Sequence, residues 1–110
     1  MECARSKLQD FTVIAITGEI DLNSSPEMRK TFDDLIKDNA TKIIVDFQNV
    51  SYIDSSGLAT LIEMMQRLKK HQGSMHLVRM ADKIRNLFEV TKLDKLFKIY
   101  PTQEDVLSAS

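Results

Sequence analysis

The chain has 110 residues, 43% of them hydrophobic, which is enough for one domain to bury a core without metal or disulfide support. Its formal charge is −1 and its acids and bases are interspersed, so there is no basic stripe for nucleic acid and no acidic tail for a basic partner. The single cysteine, Cys3, cannot form an internal disulfide, and no charged-then-apolar leader precedes it, so a reducing cytoplasm is the expected compartment.

Residues 2–8 are polar, and Gln9-Asp10 can turn them back as the edge partner of the next strand. In residues 11–17, Phe11, Val13 and Ala15 alternate with Thr12, Ile14 and Ile16. Both faces are apolar and β-branched residues recur, which predicts a strand covered on both sides and central in a sheet. Ser25-Pro26-Glu27 supplies a cap, a proline at the first helical position and an acid in the first turn. Met28, Phe32, Leu35 and Ile36 then form a stripe at helical spacing, and this first helix should end near Asn39. Residues 43–47 form a short apolar strand, so the intervening helix is a crossover between parallel strands.

A short polar loop should lead from that strand to Asp54-Ser55-Ser56-Gly57, where a second helix begins. Leu58, Leu61, Ile62, Met65 and Leu68 make its buried stripe, and Glu63, Gln66, Arg67 and Lys70 face outward. Met64 lies on the flank of the stripe, where methionine is more often core filler but also suits an adaptable partner surface. Gly73 ends the helix, Met75-His76-Leu77-Val78 is a further strand, and Ile84, Leu87, Phe88 and Thr91 mark a third helix. Lys98-Ile99-Tyr100 adds a last short strand, and residues 102–107 start a terminal helix. Strands alternating with helices at these lengths predict an α/β fold: a small mixed sheet of four to five strands in one domain spanning residues 1–110, with helices mainly on one face.

His71 and His76 flank a glycine turn with no cysteine or carboxylate pattern around them, so no metal is assigned. Three glycines in the whole chain cannot build a Gly-rich phosphate loop, and no nucleotide or other cofactor is expected. No run approaches the roughly 18 to 20 apolar residues that span a bilayer, and no membrane partner is expected. Neither histidine sits in a motif that would pair it with a serine nucleophile, so the chain does not read as an enzyme. The helix start at Asp54 stands out. The first N–H groups of a helix lack internal partners and carry the positive end of the macrodipole, a favourable place for a phosphate. Asp and Ser are also common N-caps, and Asp54-Ser55-Ser56-Gly57 taken alone reads as a simple cap.

The wider chain changes that reading. Gly18-Glu19-Ile20-Asp21 closing an early strand, Ile43-Ile44-Val45-Asp46-Phe47, Tyr52-Ile53-Asp54-Ser55-Ser56-Gly57-Leu58 and the segment from Arg85 to Tyr100 together resemble the STAS domains of bacterial anti-sigma factor antagonists, in order and over nearly the whole length. The resemblance implies the same architecture and makes Ser55, the serine directly after the aspartate, the phosphoacceptor; Ser56 is its neighbour rather than the preferred site. It also implies a partner-binding rim of Asp21, Asn23, Asp54, Ser55, Ser56, Gly57, Thr60 and Met64. For Asp21 and Asp54, orienting the serine or engaging a kinase weighs equally with accepting turn and cap hydrogen bonds. Ser24 and Ser25 read as cap residues. Lys92 stands where relatives often carry glycine, which questions the helix end there.

The function so implied is partner switching. The unphosphorylated chain would bind an anti-sigma factor that is a serine kinase and so free a sigma factor; phosphorylation of Ser55 would release the kinase, and a serine phosphatase would reset the cycle. Two alternatives stand beside it: the same switch with a non-sigma output, and a constitutive STAS adaptor subunit of a lipid-transport ABC complex in which Ser55 only caps a helix. A monomer or a weak dimer through the first strand's edge is expected.

Overall fold

The computed structural model describes residues 1–109. Strands β1 (Glu2–Leu8), β2 (Phe11–Ile20), β3 (Lys42–Ile53), β4 (Ser74–Val78) and β5 (Lys98–Tyr100) form one sheet in the order β1-β2-β3-β4-β5. Only the β1–β2 hairpin is antiparallel; the other pairs are parallel. Helices α1 (Ser25–Lys37), α2 (Ser55–Lys70), α3 (Asp82–Val90) and α4 (Gln103–Ala109) alternate with the parallel strands. This is the mixed α/β layer that the periodicity predicts.

The sheet's two faces carry cores of unequal size. Ile14, Ile16, Val45, Phe47 and Leu77 pack beneath Met28, Phe32 and Leu35 of α1, Leu61, Met64 and Leu68 of α2, and Ile84 and Phe88 of α3. On the other face, Phe11, Val13, Ile44 and Val78 form a smaller cluster with Val106 of α4, against which Leu8, Tyr100 and Leu107 pack. Burying each large side chain in the main core is worth about 1.5–3 kcal/mol relative to exposure, so most of the fold's stabilisation lies on the three-helix face.

One boundary differs in a way that matters. The strand expected to end at Phe47 continues to Ile53, and only Asp54 separates it from α2. Irregularities in register between Ala15 and Thr17 and between Gly18 and Glu19 let pairing resume, with Thr17 opposite Asn49 and Ile20 opposite Ile53. Val50 and Ile53 turn inward along this extension, so residues 48–52 belong to the sheet rather than to a loop. The serine-bearing helix is therefore fixed directly to a paired strand end.

Lys92 holds φ at 62° in the left-handed region, just after Thr91 closes α3 through a 2.7 Å bond from its hydroxyl to the Leu87 carbonyl. The glycine-type turn is thus kept without glycine, at a cost of about 1 kcal/mol.

Candidate functional site at the start of the second helix

Two chain reversals meet at the C-terminal ends of β2 and β3. The Asp54 amide donates to the Ile20 carbonyl at 3.2 Å, tying the start of α2 to the end of β2. Gly57 is needed for this approach, because a Cβ there would stand 2.3 Å from the Ile20 carbonyl oxygen. Gly57 is therefore buried packing, not surface.

Asp54 is the N-cap of α2: its Oδ1 accepts from the Gly57 amide at 2.9 Å. Asp21 plays a comparable part in the neighbouring turn, where its Oδ1 accepts from the amides of Asn23 at 2.9 Å and Ser24 at 3.0 Å. Both carboxylates therefore do the structural work open to them.

The serines divide sharply. Ser24 is the N-cap residue of α1, but its Oγ turns back to accept from the Asp21 amide at 2.8 Å instead of capping the helix. Ser25, expected as the cap, is instead the first helical residue; it is buried and donates to the Asp21 carbonyl at 2.8 Å. Ser55, at the first position of α2, is exposed, and among the described residues its hydroxyl has no hydrogen-bond partner. Since Asp54 fills the cap role, Ser55 is not needed for it. Ser56 lies half-buried beside it.

Thr60 and Met64, taken from the sequence as part of the contact rim, are 1% and 0% exposed. The Thr60 hydroxyl lies 2.8 Å from Ser25 Oγ and 3.0 Å from the Ser56 carbonyl, joining the first turns of α1 and α2 beneath the surface. Met64 is drawn inside because α1 lies alongside α2, joined by the pairs Arg29–Glu63 at 3.0 Å and Arg67–Asp33, which widens the buried arc of the helix. Both residues support the rim from below. The surface itself consists of Asp21, Asn23, Asp54, Ser55 and Ser56, with two apolar side chains that sequence reasoning missed: Leu22, 70% exposed, and Tyr52, 47% exposed. The signal for each was an apolar residue set in a polar turn or strand end. Tyr52 also borders a 240 Å³ groove completed by Ile53, Lys83, Ile84 and Leu87.

Neither histidine reaches this serine. His71 caps the far end of α2, about 24 Å away at 1.5 Å per residue, and His76 lies on the opposite face of the sheet, where its Nδ1 donates to the Ile43 carbonyl at 3.2 Å. Among the described residues no cluster of histidine, cysteine or carboxylates is arranged to hold a metal, and no helix is long and apolar enough to cross a membrane.

The strand order and the capped helix start together define a STAS fold, and the chain belongs to the STAS domain family, whose model matches residues 4–106. Among curated relatives, the anti-sigma-B factor antagonist of Staphylococcus aureus is 29% identical over 89 residues, covering 81% of this chain and 82% of that one. Among solved structures, an anti-sigma factor antagonist from Mycobacterium paratuberculosis superposes with a TM-score of 0.86 at 27% identity, covering 98% of this chain and 92% of that one. The Bacillus protein SpoIIAA, an anti-sigma factor antagonist, matches with a TM-score of 0.72 both in its unphosphorylated form, at 21% identity over 98% of this chain and 96% of that one, and in its phosphorylated form, at 23% identity over 98% of each.

Proposed function

We propose that this protein is an anti-sigma factor antagonist that switches partners through Ser55. In its unphosphorylated form it binds an anti-sigma factor that is also a serine kinase, and phosphorylation of Ser55 ends that complex until a serine phosphatase restores the hydroxyl. The chain supplies the docking surface and the acceptor hydroxyl; catalysis belongs to the kinase and the phosphatase.

The observation that carries the reading is the free, exposed Ser55 hydroxyl next to a capping aspartate that has already taken the structural role. The fold tolerates modification there, because the phosphate sits at a helix start with unpaired N–H groups and projects away from the core. A partner that covers Asp21, Leu22, Asn23, Tyr52, Asp54 and Ser55 does not tolerate it. It would have to desolvate roughly 1.5 to 2 added negative charges beside two carboxylates, at a cost of several kcal/mol.

The test is an immobilised Ser55→Ala protein presented to extract of its native cells, followed by titration of the retained protein against unmodified and Ser55-phosphorylated wild type. Retention of a serine kinase whose affinity falls about 100-fold or more on phosphorylation supports the proposal. Equal affinity for both forms would sink it, and retention of a transport ATPase indifferent to Ser55 would establish the constitutive adaptor. A retained kinase with a client other than a sigma factor would keep the switch and replace its output.

A further inference from the structure

Helix α4 covers only part of the second sheet face. Beside it lies a 220 Å³ pocket lined by Phe11, Lys42, Ser74, His76, Lys98 and Tyr100, with Val106 and Ala109 of α4 as its wall. The register explains the grouping: Lys42 pairs with Ser74 and His76 with Lys98, so alternate residues of β3, β4 and β5 point to the same side.

Among the described residues the lining carries two lysines and no carboxylate, and its neutral polar groups, the Ser74 and Tyr100 hydroxyls and His76, can each accept or, for the hydroxyls and a protonated imidazole, donate. Lys98 and the hydroxyls of Ser74 and Tyr100 have no side-chain hydrogen-bond partner among the described residues. Lys42 is held by Asp10 at 2.8 Å on the rim and lies 5.5 Å from the Phe11 ring centroid. His76 gives its Nδ1 proton to the Ile43 carbonyl at 3.2 Å, which leaves Nε2 for the pocket. Burial, then the positive charges of Lys98 and Lys42, push the His76 imidazole below its ordinary value. The walls are flat and aromatic, with Phe11 edge-on to His76 at 5.4 Å and Tyr100 tilted toward it at 6.1 Å.

We propose that this pocket binds a small planar organic anion, its carboxylate held by Lys98, Ser74 and His76 and its ring or conjugated body lying against Phe11 and Tyr100. The volume admits a single-ring carboxylate and is below the roughly 300–1,000 Å³ of sites for larger ligands. Binding brings the missing negative charge next to His76, so protonation of Nε2 becomes favourable and adds a charge-assisted hydrogen bond. The site lies on the sheet face opposite α2 and is independent of the Ser55 switch.

Sodium benzoate is the probe, followed through the His76 imidazole resonances by NMR, with sodium chloride and inorganic phosphate as comparisons. The proposal predicts saturable shifts of His76, a rise in its apparent pKa, and a Kd of about 1 mM or tighter. Lys98→Ala should weaken binding about tenfold, and Lys69→Ala, which lies outside the pocket, should leave it unchanged. A non-saturating response, a response equalled by chloride, or equal binding by the Lys98→Ala protein would overturn it. Phosphate binding as tightly as benzoate would overturn the part assigned to the aromatic walls.

Discussion

The molecule holds two polar constellations on opposite faces of the sheet, and they differ in what they leave open. At the start of α2, Asp21, Ser24, Ser25, Asp54 and Thr60 satisfy one another and the nearby backbone; among the described residues the hydroxyls of Ser55 and Ser56 are left over, and of these two Ser55 is the fully exposed one while Ser56 is half-buried. Under α4, Asp46 is 2% exposed and accepts from the Gln48 amide at 2.9 Å, from Gln103 Nε2 at 2.8 Å and from the Arg79 guanidinium. There the buried carboxylate itself is fully engaged, with both oxygens accepting. The first constellation is a scaffold that presents a group; the second is a clasp that holds a helix down. A modifiable residue needs rigid, satisfied surroundings and must itself stay unsatisfied, and only the first constellation has that form.

The sharpest test of this contrast is modification itself. Phosphorylation of Ser55 should reduce partner affinity by about 100- to 1,000-fold, or about 3–4 kcal/mol, with little change in the protein's urea midpoint. A large loss of stability on phosphorylation would show that Ser55 belongs to the scaffold after all.

Gly57→Ala attacks the scaffold directly. The added methyl would meet the Ile20 carbonyl at 2.3 Å, so we expect a loss of about 3 kcal/mol in denaturant unfolding, together with weaker partner binding as the end of β2 and α2 are forced apart. Unchanged stability would mean that the two reversals are not locked together.

Asp46→Asn attacks the clasp. It should cost about 2 kcal/mol, less than breaking a fully buried pair because the Arg79 side chain still reaches water, and hydrogen exchange should quicken in α4 while Ser55 remains as modifiable as before. The carboxyl of Asp46 is held below its ordinary value; burial alone would raise it, and bonds from Arg79, Gln48 and Gln103 outweigh that. A depressed folded value means the unfolded chain binds the proton more readily. The wild type therefore has this stabilisation above about pH 4 and loses it as pH falls through the lower folded value, whereas the Asn variant should be flatter across that range. Parallel acid-unfolding curves for the two proteins would remove Asp46 from the clasp.

The smallest effect lies away from both constellations. Lys92→Gly relieves a left-handed backbone and should raise stability by about 1 kcal/mol or somewhat less, without altering partner binding. A fall in the urea midpoint would show that the lysine side chain contributes more than its backbone costs.

Much of the molecule was legible in the chain. Alternating apolar residues gave the strands, the stripe from Met28 to Ile36 gave α1, and Asp54-Ser55 at a helix start, read with the wider resemblance, gave the exposed serine. What escaped depends on neighbours distant in sequence. The extension of β3 to Ile53 rests on pairing with residues 17–20, which the polar run from Gln48 to Ser51 does not announce. Thr60 and Met64 were drawn below the surface by α1, whose ion pairs to α2 join residues about thirty positions apart. Asp46 contacts Arg79 and Gln103 across 33 and 57 positions; its one sequence signal was an acid inside an apolar strand, which requires a partner without naming it.

The most direct test of the central claim is the mass of the protein isolated from its native cells, with peptide mapping before and after treatment with a serine phosphatase. The account predicts a phosphatase-sensitive fraction carrying one phosphate, mapped to Ser55. A protein that is unmodified under every growth and stress condition, or phosphorylated on a different residue, would contradict it.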